Sequence, residues 1–428
     1  LESYKIVGGT PLKGSVRISG SKNAALALMA GALLIEGEVL LQNVPDIEDI
    51  RTMVRLLEGL GVSCEWHGSS LCMNMRQLHN ACPDPALVNR MRASFYIFGP
   101  LLARLGYARM PHPGGCQIGS RPVNFHINGL RALGAEIEQQ DNLYVAQTLG
   151  LMGTRIYLDM PSAGATQQLM TAAVYASGLT TIENAAMEPE VVNLAEFLNA
   201  AGARIQGAGT STLYIEGVNA LKPKVEFKVI PDRLEAGTFA LAGAVTRGEI
   251  TLEQVVPEHL HALLAKLRES GVQVREGEDT VCIRAQDPLT ALDIRTMPYP
   301  GFPTDLQQPM CAYLTRVEGA SMVRETIYEN RIQHVPELKR MGADIVAEGR
   351  AIMIRGVPKL HGAKVRATDL RGGASLVVAA LAAEGESEIQ EVIHIDRGYE
   401  NLEAKLQSLG AQITRIIPYA LTASLVES

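Results

Sequence analysis

Two kinds of apolar pattern alternate along the chain. Ala24-Ala25-Leu26-Ala27-Leu28-Met29-Ala30 and Ala379-Ala380-Leu381-Ala382-Ala383 are apolar at every position, the pattern of a helix buried on all sides. Val192-Asn193-Leu194-Ala195-Glu196-Phe197-Leu198 instead carries one apolar stripe and one polar face, which predicts an amphipathic helix in an outer layer. Ala203-Arg204-Ile205 and Ala411-Gln412-Ile413-Thr414 alternate with period two and predict strands.

These elements recur in a fixed order: small-residue helix, glycine, short strand, amphipathic helix, small-Gly-small, strand. The closing glycines are Gly61, Gly134, Gly202, Gly271, Gly342 and Gly410, at intervals of 73, 68, 69, 71 and 68 residues. A second marker, the glycine read as ending each first helix, keeps phase at Gly37, Gly106, Gly178, Gly248, Gly319 and Gly385. The chain therefore holds six units of about 70 residues. Each closing glycine suits the left-handed residue that ends a helix before a strand. The layout is α/β, with buried helices inside and sheets plus amphipathic helices outside. Gly217 to Asp232, which contains Pro223 and Pro231 among Lys222, Lys224 and Lys228, reads as an interdomain crossing. A second crossing near Gly20 would let the N-terminal strand join the later units. The expected arrangement is two three-unit domains facing a cleft, residues 21–229 and residues 1–20 plus 230–428.

Composition narrows the function classes. Of the 428 residues, 47% are hydrophobic and 20% charged, which excludes a disordered chain. The net charge of −7, without a Lys/Arg run, and only 5% aromatic residues argue against a nucleic-acid partner. The most apolar helical stretch, Ala24 to Ile35, falls short of the roughly 20 residues of a membrane span, and Leu1-Glu2-Ser3-Tyr4-Lys5 lacks a signal pattern. Cysteines 64, 72, 82, 116, 282 and 311 form no C-x-x-C pair and no zinc spacing. No metal is expected, and the reduced thiols point to the cytoplasm. Neither a phosphate-binding G-x-x-x-x-G-K-[ST] loop nor a dinucleotide fingerprint is present.

Chemistry gathers where the repeats break register. The second unit alone is about four residues longer between its two glycines, in Pro111-His112-Pro113-Gly114-Gly115-Cys116-Gln117-Ile118-Gly119-Ser120-Arg121-Pro122. Unit-specific insertions in repeat proteins usually carry function. Cys116 reads either as a reactive thiol, activated by a cation such as Arg121, or as a loop residue without a role. His112 and His126 invite a Cys–His hydrolase, but no oxyanion motif accompanies them. Lys22, Arg92, Arg233 and Arg371 stand at the expected starts of buried helices, where N–H groups and cations together favour anions; solvated charge is the plain alternative. Asp305 reads as an N-cap or as a carboxylate base. Arg331 and Arg397 hold equivalent positions in units five and six. Together these residues describe a two-domain binder of a small polyanion.

Gly20-Ser21-Lys22-Asn23-Ala24-Ala25, the Pro113–Pro122 run, Ile182-Glu183-Asn184-Ala185-Ala186, Gly301-Phe302-Pro303-Thr304-Asp305, Glu329-Asn330-Arg331 and Asp369-Leu370-Arg371 resemble the enolpyruvyl transferase family in its UDP-N-acetylglucosamine 1-carboxyvinyltransferase branch. The resemblance spans all six units; the related shikimate-pathway branch is not expected to carry the Gly-Gly-Cys loop. It implies two inside-out, barrel-like α/β domains of three repeats each, which close over the substrates. It also implies transfer of the enolpyruvyl group of phosphoenolpyruvate to the 3′-hydroxyl of UDP-N-acetylglucosamine with release of phosphate, the first committed step of peptidoglycan synthesis, without a cofactor.

By the same resemblance Cys116 donates a proton and Asp305 accepts one. Lys22, Asn23, Arg121, Arg331, Arg371 and Arg397 would hold phosphoenolpyruvate. Arg92, Arg121, Pro122, Val123, Asn124, Asp305 and Ile327 would contact the UDP-sugar. The chain departs from the family pattern at Asn124, where Asp is expected, at Met160, where Lys is expected, and at Gly372-Gly373, where Ala or Ser is expected. Cys116, Lys22, Asp305 and Arg397 are intact, so activity is expected to survive.

Overall fold

The computed structural model describes residues 2–114 and 122–418; Gly115 to Arg121, with Cys116 among them, lie outside the described residues. Two compact units emerge. The terminal unit holds residues 2–19 and 231–418, the middle unit 20–114 and 122–230, and each has its own hydrophobic core.

In the terminal unit three helices, Arg233–Val245, Gln307–Leu314 and Leu370–Ala382, pack against one another. They are buried almost throughout, as their all-apolar patterns require. Three four-stranded sheets and one two-stranded sheet belong to this unit. Strands such as Ala320–Arg324 and Glu386–Gln390 alternate between buried and more exposed positions, so these sheets show the core one face only. Both N-terminal strands are used here: Lys13–Arg17 pairs in parallel with Glu249–Glu253, and Ser3–Val7 lies antiparallel between Glu386–Gln390 and Gln412–Ile416. In the middle unit, the helix Lys22–Ala32 packs against Pro189–Ala200, and Ala163–Ala173 packs against Phe98–Leu105 and Asn124–Ala132. Two four-stranded sheets and one three-stranded sheet belong to it. Buried helices with outer sheets are therefore found in both units.

The repeat glycines divide by physical cause. All six closing glycines adopt φ between +87° and +103°, as a helix stop in the left-handed region requires. Of the other set only Gly106 caps its helix; Gly178, Gly319 and Gly385 have positive φ but lie beyond the helix ends at Val174, Thr315 and Ala383, and Gly37 and Gly248 do neither. A β-carbon on Gly37 would stand 1.8 Å from the Pro223 carbonyl oxygen, and one on Gly248 would stand 2.2 Å from that of Leu12. Both are sites of close strand approach, and Arg247 takes the left-handed turn in the fourth unit (φ 56°).

Two further expectations are corrected. The crossing read in Gly217–Asp232 narrows to Ile230 and Pro231, where the units divide, and Lys224–Lys228 ahead of it is a strand paired in parallel with Glu38–Gln42; alternate burial of Val225 outweighs its lysines. The second unit's buried helix does not start as an α-helix at Arg92: a 3-10 turn, Arg92–Ile97, precedes the α-helix Phe98–Leu105.

Candidate active site

In the terminal unit Asp305 caps no helix. It lies in the 3-10 turn Thr304–Leu306, entered from Pro303, and no side-chain cap bond forms there. Its carboxylate is divided between two arginines. Oδ1 meets Nη1 of Arg331 at 2.8 Å, while Oδ2 meets Nη2 of Arg371 at 3.2 Å and its Nε at 3.3 Å. The two guanidinium side chains are 5% and 2% exposed and the carboxylate 26%, so solvent reaches the acid and hardly the bases.

Burial works to lower the pKa of Arg371. Tyr399, over whose ring its guanidinium lies at 5.3 Å, together with Asp305 and Asp232, more than offsets that penalty and raises its pKa. Arg331 likewise lies over Tyr328, at 5.3 Å. Nε of Arg331 and Nη1 of Arg371 are buried without a hydrogen-bond partner among the described residues. Two N–H donors in a cationic pair are thus left unused, which is costly unless a ligand or water accepts from them.

Asp369 explains how Arg371 is placed. It is the N-cap of Leu370–Ala382, accepting from the backbone N–H of Arg371 and of Gly372, both at 3.0 Å, and Nε2 of Gln308 donates to it at 3.1 Å. Burial works to raise its pKa, but the Gly372 N–H, Arg331 and Gln308 prevail and lower it. Asp232 caps Arg233–Val245 in the same way, bonded to Leu234 N and Glu235 N. These carboxylates fill the helix ends that sequence reading assigned to an external anion, so at Arg233 and Arg371 only the side-chain charge remains for that role. Arg233 lies over the Tyr299 ring at 5.5 Å. Arg397 follows the short helix Ile393–Asp396 and is half-buried, as is Ile327. The departure at Gly372-Gly373 has a steric reason: β-carbons there would stand 2.7 Å from Asp369 Oδ2 and 2.6 Å from Ile395.

In the middle unit Lys22 is the first residue of Lys22–Ala32, which Ser21 caps. Its Nζ lies 3.0 Å from Asp49 Oδ2, with the two side chains 13% and 4% exposed. Asp49 was missed in the sequence because a helix-start acid reads as solvated. Asn23 and Arg92 are half-buried, Val123 is buried, and Pro122, Asn124 and Met160 are exposed. His126 is a core residue: its Nδ1 is bonded to Gln168 Oε1 and its ring meets Phe95 edge-on at 5.3 Å. His112 has its Nδ1 3.2 Å from the Pro113 carbonyl and packs beside Tyr144. Both rings have structural partners, which removes the support for a Cys–His hydrolase. Cys116 and Arg121 lie outside the described residues. The five described cysteines are free, and burial pushes the Cys64 thiol up to about 12. No helix among the described residues is long and apolar enough to cross a membrane.

Comparison with known proteins shows the family and the fold. Residues 6–406 match the family model described as EPSP synthase (3-phosphoshikimate 1-carboxyvinyltransferase). The chain is 51% identical to the UDP-N-acetylglucosamine 1-carboxyvinyltransferase of Nostoc sp., over 96% of this chain and 93% of that one. It is 50% identical to UDP-N-acetylglucosamine 1-carboxyvinyltransferase 2 of Carboxydothermus hydrogenoformans, over 97% and 100%. Among solved structures it is similar to the enolpyruvyl transferase NikO from Streptomyces tendae, with TM-score 0.88 and 26% identity over 97% of this chain and 99% of that one. The EPSP synthase of Acinetobacter baumannii, at TM-score 0.75 and 19% identity over 97% and 100%, shares the fold.

Proposed function

The chain belongs to the enolpyruvyl transferase family, among its UDP-N-acetylglucosamine 1-carboxyvinyltransferases, and from that premise we propose that it transfers the enolpyruvyl group of phosphoenolpyruvate to the 3′-hydroxyl of UDP-N-acetylglucosamine, releasing phosphate, as the first committed step of peptidoglycan synthesis. The hydroxyl oxygen bonds to C2 of phosphoenolpyruvate while C3 gains a proton, giving a tetrahedral ketal. Loss of a proton from C3 then expels phosphate from C2 and leaves the enol ether. The free thiols fit a reducing compartment, and we place the reaction in the cytoplasm.

The observation that carries the site assignment is the carboxylate of Asp305 against two buried guanidinium groups with unused donors. In this reading the carboxylate of phosphoenolpyruvate displaces Asp305 from Arg331 and Arg371 and also engages their unused donors, and Asp305, released, accepts the proton of the sugar hydroxyl. Lys22, Asn23, Arg121 and Arg397 hold the phosphate and stabilise its charge as it leaves. Arg92, Arg121, Pro122, Val123, Asn124 and Ile327 contact the UDP-sugar. Cys116 delivers the proton to C3.

Phosphate release, measured with phosphoenolpyruvate in the presence and absence of UDP-N-acetylglucosamine, tests the reaction. Release is expected only with the UDP-sugar and is expected to stop after alkylation by the epoxide fosfomycin. Cys116→Ser is expected to lower kcat by about 10²–10⁴-fold, whereas Cys116→Asp, which can still donate a proton, retains activity. The family model's own description favours a second reading, a shikimate-type transferase. Release with shikimate 3-phosphate and not with the UDP-sugar would establish it.

A further inference from the structure

Glu325 directly follows the strand Ala320–Arg324 and reads in sequence as one more surface acid, yet it is 1% exposed. Its carboxylate accepts four hydrogen bonds. Oε1 takes the Thr296 hydroxyl at 2.9 Å and the backbone N–H groups of Ile327 and Tyr328 at 2.8 and 3.1 Å. Oε2 takes the Thr304 hydroxyl at 2.9 Å. Four donors fill the acceptor capacity of a carboxylate.

The two oxygens act on different things. Oε1 fixes the segment that carries Ile327 and Tyr328, and Tyr328 in turn lies under the Arg331 guanidinium. Oε2 acts through Thr304. Because the Thr304 proton is committed to Glu325, its oxygen presents a lone pair to Arg331, whose Nη1 donates to it at 2.8 Å. That same Nη1 is the atom that meets Asp305 Oδ1. A continuous path therefore runs from Glu325 through Thr304 to Arg331 and Asp305.

We propose that Glu325 is a positioning residue for the transfer reaction: it sets the polarity of the Thr304 hydroxyl and thereby aims Arg331 and Asp305, while its other oxygen holds the Ile327–Tyr328 segment in place. The proposal rests on the function assigned above. Glu325 meets the reactants only through other side chains, so its effect is on geometry, where a misplacement of about 1 Å costs on the order of 10²-fold in rate.

Glu325→Gln separates the two arms. The amide oxygen can keep the Oε1 contacts, while its NH2 donates to Thr304 and reverses that bond. Thr304→Val removes the hydroxyl at nearly constant shape. Each substitution is expected to lower kcat on the order of 10²-fold, with melting temperature and the KM for UDP-N-acetylglucosamine close to wild type. The double variant is expected to be no worse than either single variant, because both cut the same path. Glu325→Gln with a kcat within about threefold of wild type overturns the proposal, as do losses that multiply in the double variant. If the wild-type chain releases no phosphate, it is the assigned reaction that fails. The role of Glu325 is then read by hydrogen exchange, in which Glu325→Ala must deprotect the Ile327 and Tyr328 amides; unchanged exchange overturns it.

Discussion

Asp305 and Arg371, 66 residues apart in sequence, meet through one carboxylate oxygen that receives both Nη2 and Nε of the guanidinium. With Arg331 on the other oxygen, the carboxylate occupies the cations that a carboxylate ligand would need. Asp305 thus stands where part of the substrate's charge would go, and binding becomes an exchange of one anion for another.

The exchange predicts opposite effects on binding and turnover. In a Cys116→Ser background, which prevents covalent capture, Asp305→Asn is expected to tighten phosphoenolpyruvate binding about threefold to tenfold, or about 0.6–1.4 kcal/mol. Turnover is expected to fall by about 10²–10⁴-fold. Calorimetric titration gives the first value; weaker binding in the Asn variant would rule out the exchange.

His334 predicts the acid limit of stability. It is fully buried, and neither ring nitrogen has a hydrogen-bond partner among the described residues. Burial is the main cause of a pKa lowered from 6.5 to about 4, with Arg331 adding to it against the pull of Asp369. In the unfolded chain the ring protonates near 6.5, so between pH 6.5 and 4 the unfolded state binds more protons and stability falls with pH. The loss attributable to this residue is on the order of 2–3 kcal/mol by pH 4. His334→Leu is expected to be nearly neutral at pH 7, since two unpaired polar atoms are removed, and to flatten the acid slope of the urea midpoint. An unchanged slope would sink this account.

The two kinds of repeat glycine predict different costs for one substitution. Gly178 is exposed, with φ +93° and no atom within 4 Å of the place an added methyl group would take, so Gly178→Ala is charged only for the left-handed backbone, about 1–2 kcal/mol. At Gly37 a β-carbon meets a carbonyl oxygen at 1.8 Å. There the strand itself must move, and Gly37→Ala is expected to cost more than about 3 kcal/mol. Urea unfolding of both variants checks the order; equal costs would contradict it.

Much of this fold was legible because its signals are local. A helix apolar on all sides must be buried, and a glycine before a strand is read from its neighbours alone, which is why the six closing glycines behave alike. Gly37 and Gly248 misled for the converse reason: what demands glycine there is the carbonyl of Pro223 or Leu12, residues far along the chain. The site divides in the same way. Lys22, Arg331 and Arg371 stood out as cations at repeat-equivalent places. Asp49, Asp369 and Glu325 did not, because an isolated acid looks solvated until the fold brings Lys22, Gln308 or Thr304 beside it. Asp305 allowed two readings in sequence, and the partners that exclude the N-cap come from Arg331 and Arg371.

The strand Ser3–Val7 has one more consequence, which concerns the order in which the protein can be made. Its neighbours are Glu386–Gln390 and Gln412–Ile416, and the pair Ser3 and Ile416 is 413 positions apart (416 − 3). A ribosome delivers this strand long before its partners, so Tyr4 and Ile6, both buried in the finished sheet, wait through synthesis of everything between them. Every sheet of the middle unit, by contrast, draws its strands from residues 38–228. That unit can complete itself while the later residues are still being translated, and the terminal unit then assembles around an early strand held in reserve.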